Sequence, residues 1–265
     1  MRLLYILMAP MLATLPGAAF ADDCSDVAQL AAGIDYSRGI ELTASGAKGR
    51  EYRELFGECD RTNTFNGTPL KRYSCKSDKN NVRTITRFSD GTVVFSSKIG
   101  VDVDGAPVTR TDRRSASNAG GTSPMRGGVT LNAEDDRFIV LPQSKGGVSF
   151  TKDSGLALGS PAVVLHGERC SIGIVGDRGP YYRLGEASVR IHEDLGNPQC
   201  AVQGEHPCSQ IVHAGDGRGL SSGLVIVFPV GPDAALQGHD AALMEAATRE
   251  RTMNFLRAHQ KQVVR

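Results

Sequence analysis

The strongest constraint on the fold is a series of short β-rich runs separated by Gly, Pro and Asp turns. The runs are residues 82–88, 92–95, 99–104, 138–141, 148–151, 161–166, 171–175, 187–191 and 224–228. Between the first two runs lies Asp90-Gly91, a dipeptide typical of hairpin turns whose central residues need positive φ. Many short strands favour a closed or nearly closed barrel over an α/β sheet. The sequence therefore predicts an all-β, barrel-like core.

Helices are expected only at the two ends of this core. Residues 26–32 form a short helical candidate, and Asp240 is a possible cap for a helix near the C-terminus. The stretch that follows the first candidate, through Thr68, contains Gly and polar residues and is expected to be irregular. The predicted organisation is an N-terminal extension over 22–79, a barrel over 80–235 and a C-terminal helix over 236–265.

The first residues are typical of a cleavable leader. Met1-Arg2 is followed by an apolar run over 3–15 and by Ala19-Phe20-Ala21, a small-residue cleavage site. The apolar run is shorter than the roughly 20 residues that a membrane-spanning helix needs. The mature chain, from about Asp22, is therefore expected to be secreted or periplasmic.

Cysteine usage agrees with export. The six cysteines are Cys24, Cys59, Cys75, Cys170, Cys200 and Cys208. All lie after the predicted cleavage site, and an even number allows three disulfides in fifteen pairings. Short separations favour the pairs Cys200–Cys208 and Cys59–Cys75. Because no Cys or His residues stand at zinc-ligand spacing, neither a metal nor another cofactor is expected.

Charge balance excludes two classes of partner. The chain has 30 basic and 29 acidic residues, and loss of the leader removes Arg2 and leaves 29 of each. A balanced chain has no electrostatic reason to bind nucleic acid or an anionic membrane. The six histidines show no triad or metal spacing and are expected on the surface or in loops. The sequence does not fix the oligomeric state.

The segment over 173–191 contains the residues best suited to chemistry. Its apolar first strand is expected to end at Asp177, and a second strand is expected to open at Glu186. Arg178 and two tyrosines, Tyr181 and Tyr182, occupy the turn between them, where the rings are expected to be exposed. Two carboxylates across a cleft are what glycosidic hydrolysis requires. The alternative is that Asp177 caps the turn and Glu186 is a solvated charge.

This segment resembles the core motif of the fungal-type chitosanases, glycoside hydrolase family 75. The matching residues are Gly176-Asp177 and Gly185-Glu186-Ala187-Ser188. Further similarity, in chain order over roughly 84–232, involves Val101-Asp102-Val103-Asp104-Gly105, Leu131-Asn132-Ala133 with Phe138-Ile139-Val140, and residues 224–230. The turn Asp177-Arg178-Gly179-Pro180 departs from the family pattern and is instead similar to a turn of double-psi β-barrel domains in cell-wall proteins.

The resemblance implies an inverting hydrolase of a β-linked amino-sugar polymer, chitosan or peptidoglycan, with Asp177 and Glu186 as the catalytic pair. Asp102 and Asp104 are expected to line the same cleft, where acidic groups suit a substrate with amines. Together with Arg178, Tyr181 and Tyr182 they form the expected substrate-binding set. The chain has no Trp, the strongest platform for sugar stacking. A non-catalytic envelope module that binds glycan with the same barrel therefore remains the alternative.

Overall fold

A computed structural model describes residues 19–71, 75–76, 78–106, 121–124, 128–211, 219–230 and 241–262. Most of the predicted leader, most of the loop expected over 105–129 and the helix cap Asp240 lie outside these residues. The twelve strands are β1 Ile40–Glu41, β2 Thr43–Ala44, β3 Arg50–Glu51, β4 Thr64–Phe65, β5 Thr68–Pro69, β6 Thr84–Arg87, β7 Val93–Asp102, β8 Phe138–Pro142, β9 Pro161–His166, β10 Arg169–Gly179, β11 Glu186–Ser188 and β12 Leu220–Val227. The helices are α1 Ala19–Ala32, α2 Tyr52–Thr62, α3 Phe150–Ser154, α4 Val189–Asp194 and α5 Ala241–Ala258.

Six strands close into a barrel in the order β7, β11, β8, β10, β9 and β12, and β12 pairs back with β7. The β7–β11 and β8–β10 pairs are parallel, and the other four are antiparallel. The prediction of an all-β barrel is therefore confirmed. The Asp90-Gly91 hairpin is confirmed as well, because β6 pairs with β7 and Gly91 has a φ of 84°.

Alternate residues of the barrel strands point inward and build the main core. Ile139, Val175 and Ala187 belong to this interior cluster. Tyr52 and Phe56 of α2 pack into the same cluster. The N-terminal extension is therefore part of the barrel's core, and its strand β1 also pairs with β6.

Two further clusters cover parts of the barrel's outer surface. Helices α1 and α5 contribute to one of them, which contains Val27, Leu256 and Phe228. The other contains Val140 of β8 and the disulfide-bonded Cys200 and Cys208. No helix in the described part of the chain is both long and apolar enough to cross a membrane.

Three helices lie where the sequence predicted none. The expected irregular stretch contains α2, whose buried residues Tyr52, Leu55, Phe56 and Cys59 follow helical spacing. The strands predicted over 148–151 and 187–191 are wrong in part, because α3 and α4 occupy these positions. Ser149 and Ser188 accept hydrogen bonds from the backbone three residues on, which starts each helix.

All six cysteines are paired in three disulfides. The local pairs Cys59–Cys75 and Cys200–Cys208 are confirmed, and the third is Cys24–Cys170. This last bond ties α1 to β10 across a sequence separation of 146 residues. Cross-links of this kind persist mainly in oxidising compartments.

The double change Cys24→Ser/Cys170→Ser is expected to destabilise the protein more than Cys200→Ser/Cys208→Ser. Loop-closure entropy gives about 5 kcal/mol for the long loop and about 2.5 kcal/mol for the short one. Urea unfolding of the two double variants beside the unaltered protein measures the difference. Equal losses of unfolding free energy would contradict the entropic account.

Candidate active site

Asp177 and Glu186 occupy one row across the sheet, on either side of Val140. Val140 in β8 pairs with Asp177 of β10 on one side and with Glu186 of β11 on the other. Glu186 in turn pairs with Gly100 of β7. Paired residues of neighbouring strands project from the same face of a sheet. Because the adjacent Ile139 and its partners point into the barrel, this row lies on the outer face.

A β-bulge at Gly176 places Asp177 in this row. The register between β10 and β8 shifts between Val175 and Asp177, so Gly176 is an extra residue in β10. A Cβ atom on Gly176 would lie 2.5 Å from Leu131 and Phe138 side-chain atoms, so no other residue fits. Strand β10 continues to Gly179, two residues beyond the predicted end.

Two glycines leave the space that Glu186 occupies. A Cβ atom on Gly179 would lie 2.8 Å from Glu186 Oε2, and one on Gly100 would lie 3.3 Å from Glu186 Cγ. The Glu186 side chain therefore crosses Val140 towards β10, the strand that carries Asp177. Gly185 precedes it with a φ of 83°, and a side chain there would collide with Lys98 O and Ser97. Backbone geometry therefore requires glycine at position 185, and the absence of side chains at Gly100 and Gly179 leaves room for the Glu186 side chain.

Asp102, Asp104 and Asp177 come together in a three-carboxylate cluster. One oxygen from each lies within 4.8 Å of the others. Asp102 Oδ1 accepts a hydrogen bond from Asp104 N at 2.7 Å, and Asp177 Oδ1 accepts one from Ser123 N at 2.6 Å. Asp177 is only 5% exposed. The structure therefore brings the two predicted acidic residues of β7 and its continuation next to Asp177.

Burial raises the pKa of three carboxyl groups on this face, those of Asp102, Asp104 and Glu186. Burial raises the pKa of Asp104 to about 7, assisted by the charge of Asp177 and by a hydrogen bond to it. Burial and the charge of Asp104 raise the pKa of Asp102 well above its usual range. Burial likewise raises the pKa of Glu186, against the opposing charges of Arg183 and Lys98. The face thus holds protons at a pH where ordinary carboxyl groups have lost them.

The three aspartates are also the described residues whose spacing could hold a hard cation such as Ca²⁺ or Mg²⁺, which prefer oxygen ligands. Zinc-type spacing of Cys and His, on which the expectation of no metal depended, does not detect such a set. Protonation and hydrogen bonding account for the close approach of the oxygens.

The other predicted site residues differ in their surroundings. Arg178 is exposed beside Asp177. Tyr181 and Tyr182 are half-buried and pack against the barrel core, and the Tyr181 ring lies 5.5 Å from that of Phe65. The expectation of two exposed rings is therefore wrong.

Two features of the site were missed from the sequence. His192 is fully buried in α4, contrary to the expected surface position, and its Nε2 donates to Gly100 O at 2.9 Å. Burial lowers its pKa to about 4, so the neutral ring supports β7 beside Glu186. The second feature is an ion network of Asp78, Lys98 and Arg183 next to Glu186. No local pattern links these three residues, which approach each other only in the fold.

A scan against protein-family models gives no match for this chain, and a search of curated proteins gives none. The chitosanase resemblance therefore depends on the quoted motifs.

Replacing Gly179 with Ala is expected to displace Glu186, since the added methyl group would contact both Glu186 Oε2 and Val140 Cγ1 at 2.8 Å. Overpacking of this kind costs about 1–3 kcal/mol. The matched control is Gly57→Ala in α2, where the new methyl meets only the flexible end of Arg61 and should be neutral or stabilising. Thermal unfolding of both variants is the measurement. A Gly179→Ala variant as stable as Gly57→Ala would contradict the close packing of Glu186.

Asp104→Asn is expected to stabilise the protein at pH 8 but not at pH 5. The folded-state pKa of Asp104 is raised, so the folded protein binds more protons than the unfolded chain between about pH 4 and 7. Its stability therefore falls as pH rises through this window, and the amide removes the charge responsible. The gain at pH 8 should be about 1 kcal/mol or more. Urea unfolding with a chelator present measures this gain in unfolding free energy. The control is Asp26→Asn, at an exposed position of α1. An equal effect of Asp104→Asn at both pH values would refute the raised pKa of Asp104.

Proposed function

We propose that this protein is an exported, chitosanase-like glycoside hydrolase that cleaves a β-linked amino-sugar polymer with inversion. The observation that supports this most is the placement of Asp177 and Glu186 on one face, with a single strand between them. Two strand spacings correspond to roughly 9.5 Å between their Cα atoms. The side chain of Glu186 extends towards β10, which brings its carboxyl group nearer to Asp177 than this Cα separation. Inverting glycosidases hold their two carboxyl groups about 6.5–9.5 Å apart, with a water molecule between them. The leader-like N-terminus and the disulfides support export.

In this proposal Glu186 is the general acid. Burial raises its pKa, so it retains the proton that it must donate to the glycosidic oxygen. Its side chain is 18% exposed, so part of it can contact a bound sugar.

Asp177 is the general base. The backbone N–H of Ser123 donates to it, and a hydrogen bond from protonated Asp104 satisfies it further. In the proposed mechanism its carboxylate removes a proton from the attacking water. The water would then attack the anomeric carbon from the face opposite the leaving oxygen.

The acidic cluster supports an amine-bearing substrate. Asp102 and Asp104 lie beside Asp177 with raised pKa values, and a positively charged ammonium group on a sugar would favour their ionised form. Chitosan carries such groups at high density, and peptidoglycan is the other amino-sugar polymer that the motifs suggest. In this proposal the ammonium groups of the polymer bind beside the carboxyl groups of Asp102 and Asp104.

One observation favours a non-catalytic glycan-binding module instead. Asp177 is 5% exposed, and its hydrogen bonds to Ser123 and Asp104 restrict the approach of water. A module of this kind would retain the barrel and bind glycan without cutting it. Hydrolysis assays distinguish the two functions.

Glu186→Gln and Asp177→Asn are each expected to reduce the release of reducing ends by about 10²-fold or more, the typical contribution of a general acid or base. The assay uses chitosan, chitin and peptidoglycan, and glycan binding and melting temperature are measured in parallel. The control is Glu168→Gln, an exposed carboxyl group nine residues before Asp177 near the start of β10. Near-normal hydrolysis by either site variant would refute the catalytic roles. Binding without hydrolysis by the unaltered protein would favour the module.

A further inference from the structure

Asp78 belongs to a segment that connects the N-terminal extension to the barrel. The Cys59–Cys75 disulfide fixes this segment on one side. On the other side, Asn80 Nδ2 donates to Tyr182 O at 3.1 Å, and Leu184 N donates to Asn80 Oδ1 at 3.0 Å. The segment is therefore bound to the turn that leads directly into Glu186.

The two carboxylate oxygens of Asp78 bind two different cations. Lys98 Nζ contacts Oδ1, and Arg183 Nη1 contacts Oδ2. The side chains of Lys98 and Arg183 are only 11% and 13% exposed. Such little solvent contact makes the charge of each cation strongly felt by its neighbours.

Both cations also face Glu186. Arg183 Nη1 lies 3.8 Å from Glu186 Oε1. A Cβ atom on Gly100 would lie 3.5 Å from Lys98 Nζ and 3.3 Å from Glu186 Cγ. Both side chains therefore lie beside Gly100. Within the described part of the chain, the other charged groups that act on Glu186 are the carboxyl groups of Asp102, Asp104 and Asp177.

We propose that Asp78 is a positioning residue for Glu186, which holds Lys98 and Arg183 beside the Glu186 carboxyl group while offsetting their charge. The inference rests on the proposed function for its catalytic meaning, but the electrostatic effect stands without it. With Asp78 in place, the two cations orient Glu186 and leave it able to keep a proton. Without Asp78, Glu186 faces two uncompensated positive charges and ionises at lower pH. The N-terminal extension thus contributes a residue to the site that the barrel alone lacks.

The test is a direct titration of Glu186 by ¹³C NMR of side-chain carboxyl groups, assigned by loss of the signal in Glu186→Gln. Asp78→Asn is expected to lower the titration midpoint of Glu186 by roughly one pH unit, the effect of one unit charge in a partly buried site. Lys98→Met removes a cation and is expected to raise the midpoint. A lower Glu186 midpoint in Asp78→Asn and a higher one in Lys98→Met indicate an electrostatic effect. Loss of local structure would shift the Glu186 midpoint in the same direction in both variants.

Asp78→Glu retains the charge and should keep the midpoint close to that of the unaltered protein. Asp153→Asn serves as control, because Asp153 bonds Ser45 and Tyr52 elsewhere in the extension. An unchanged midpoint in Asp78→Asn, or shifts of the same sign in Asp78→Asn and Lys98→Met, would overturn the inference. If the midpoints shift as expected but no glycan is hydrolysed, the positioning role stands and the proposed function fails. If glycan is hydrolysed and Asp78→Asn leaves the alkaline limb of the pH profile unmoved, the positioning role fails alone.

Discussion

The pairing of β8 with both β10 and β11 is the constraint on which the candidate site depends. Val140 is the shared partner, so Asp177 and Glu186 are held one strand apart on either side of it. Strand β8 lies between these two strands, both of which follow it in the chain. The bulge at Gly176 then brings Asp177 into the row. A one-residue change of register would place Asp177 or Glu186 on the inward-facing side, among apolar residues.

Burying carboxyl groups on this face has an energetic cost that the surroundings offset in two ways. Around Glu186, the cations Lys98 and Arg183 oppose desolvation, and Asp78 in turn balances the cations. Asp177 instead accepts hydrogen bonds from the backbone N–H of Ser123 and from the side chain of Asp104. The two carboxyl groups thus lie in different environments. Unequal environments are what allow one carboxyl group to act as an acid and another as a base at the same pH.

The sequence predicted the features that depend on local pattern. Alternating apolar runs, the Asp90-Gly91 turn and the short cysteine separations gave most strands, the hairpin and two disulfides. Helices α3 and α4 escaped because short apolar runs such as that at Val189 do not distinguish strand from helix, and the Ser caps were overlooked. The role of Asp78 and the burial of His192 could not be predicted, since they depend on contacts between residues 105 and 92 positions apart. The proximity of Asp102 and Asp104 to Asp177 was anticipated from the acidic strand end, but the raised pKa values of Asp102 and Asp104 were not.

The stereochemistry of hydrolysis is the most direct test of the proposed mechanism. In that mechanism a water molecule, and not a carboxylate, attacks the anomeric carbon, so the anomeric configuration inverts. The measurement is ¹H NMR of the anomer that forms first when the protein cleaves β-linked glucosamine oligomers. Inversion predicts that the α-anomer of the product appears first and then equilibrates with the β-anomer. Initial formation of the β-anomer would contradict it, because retention requires a carboxylate close enough to form a covalent intermediate.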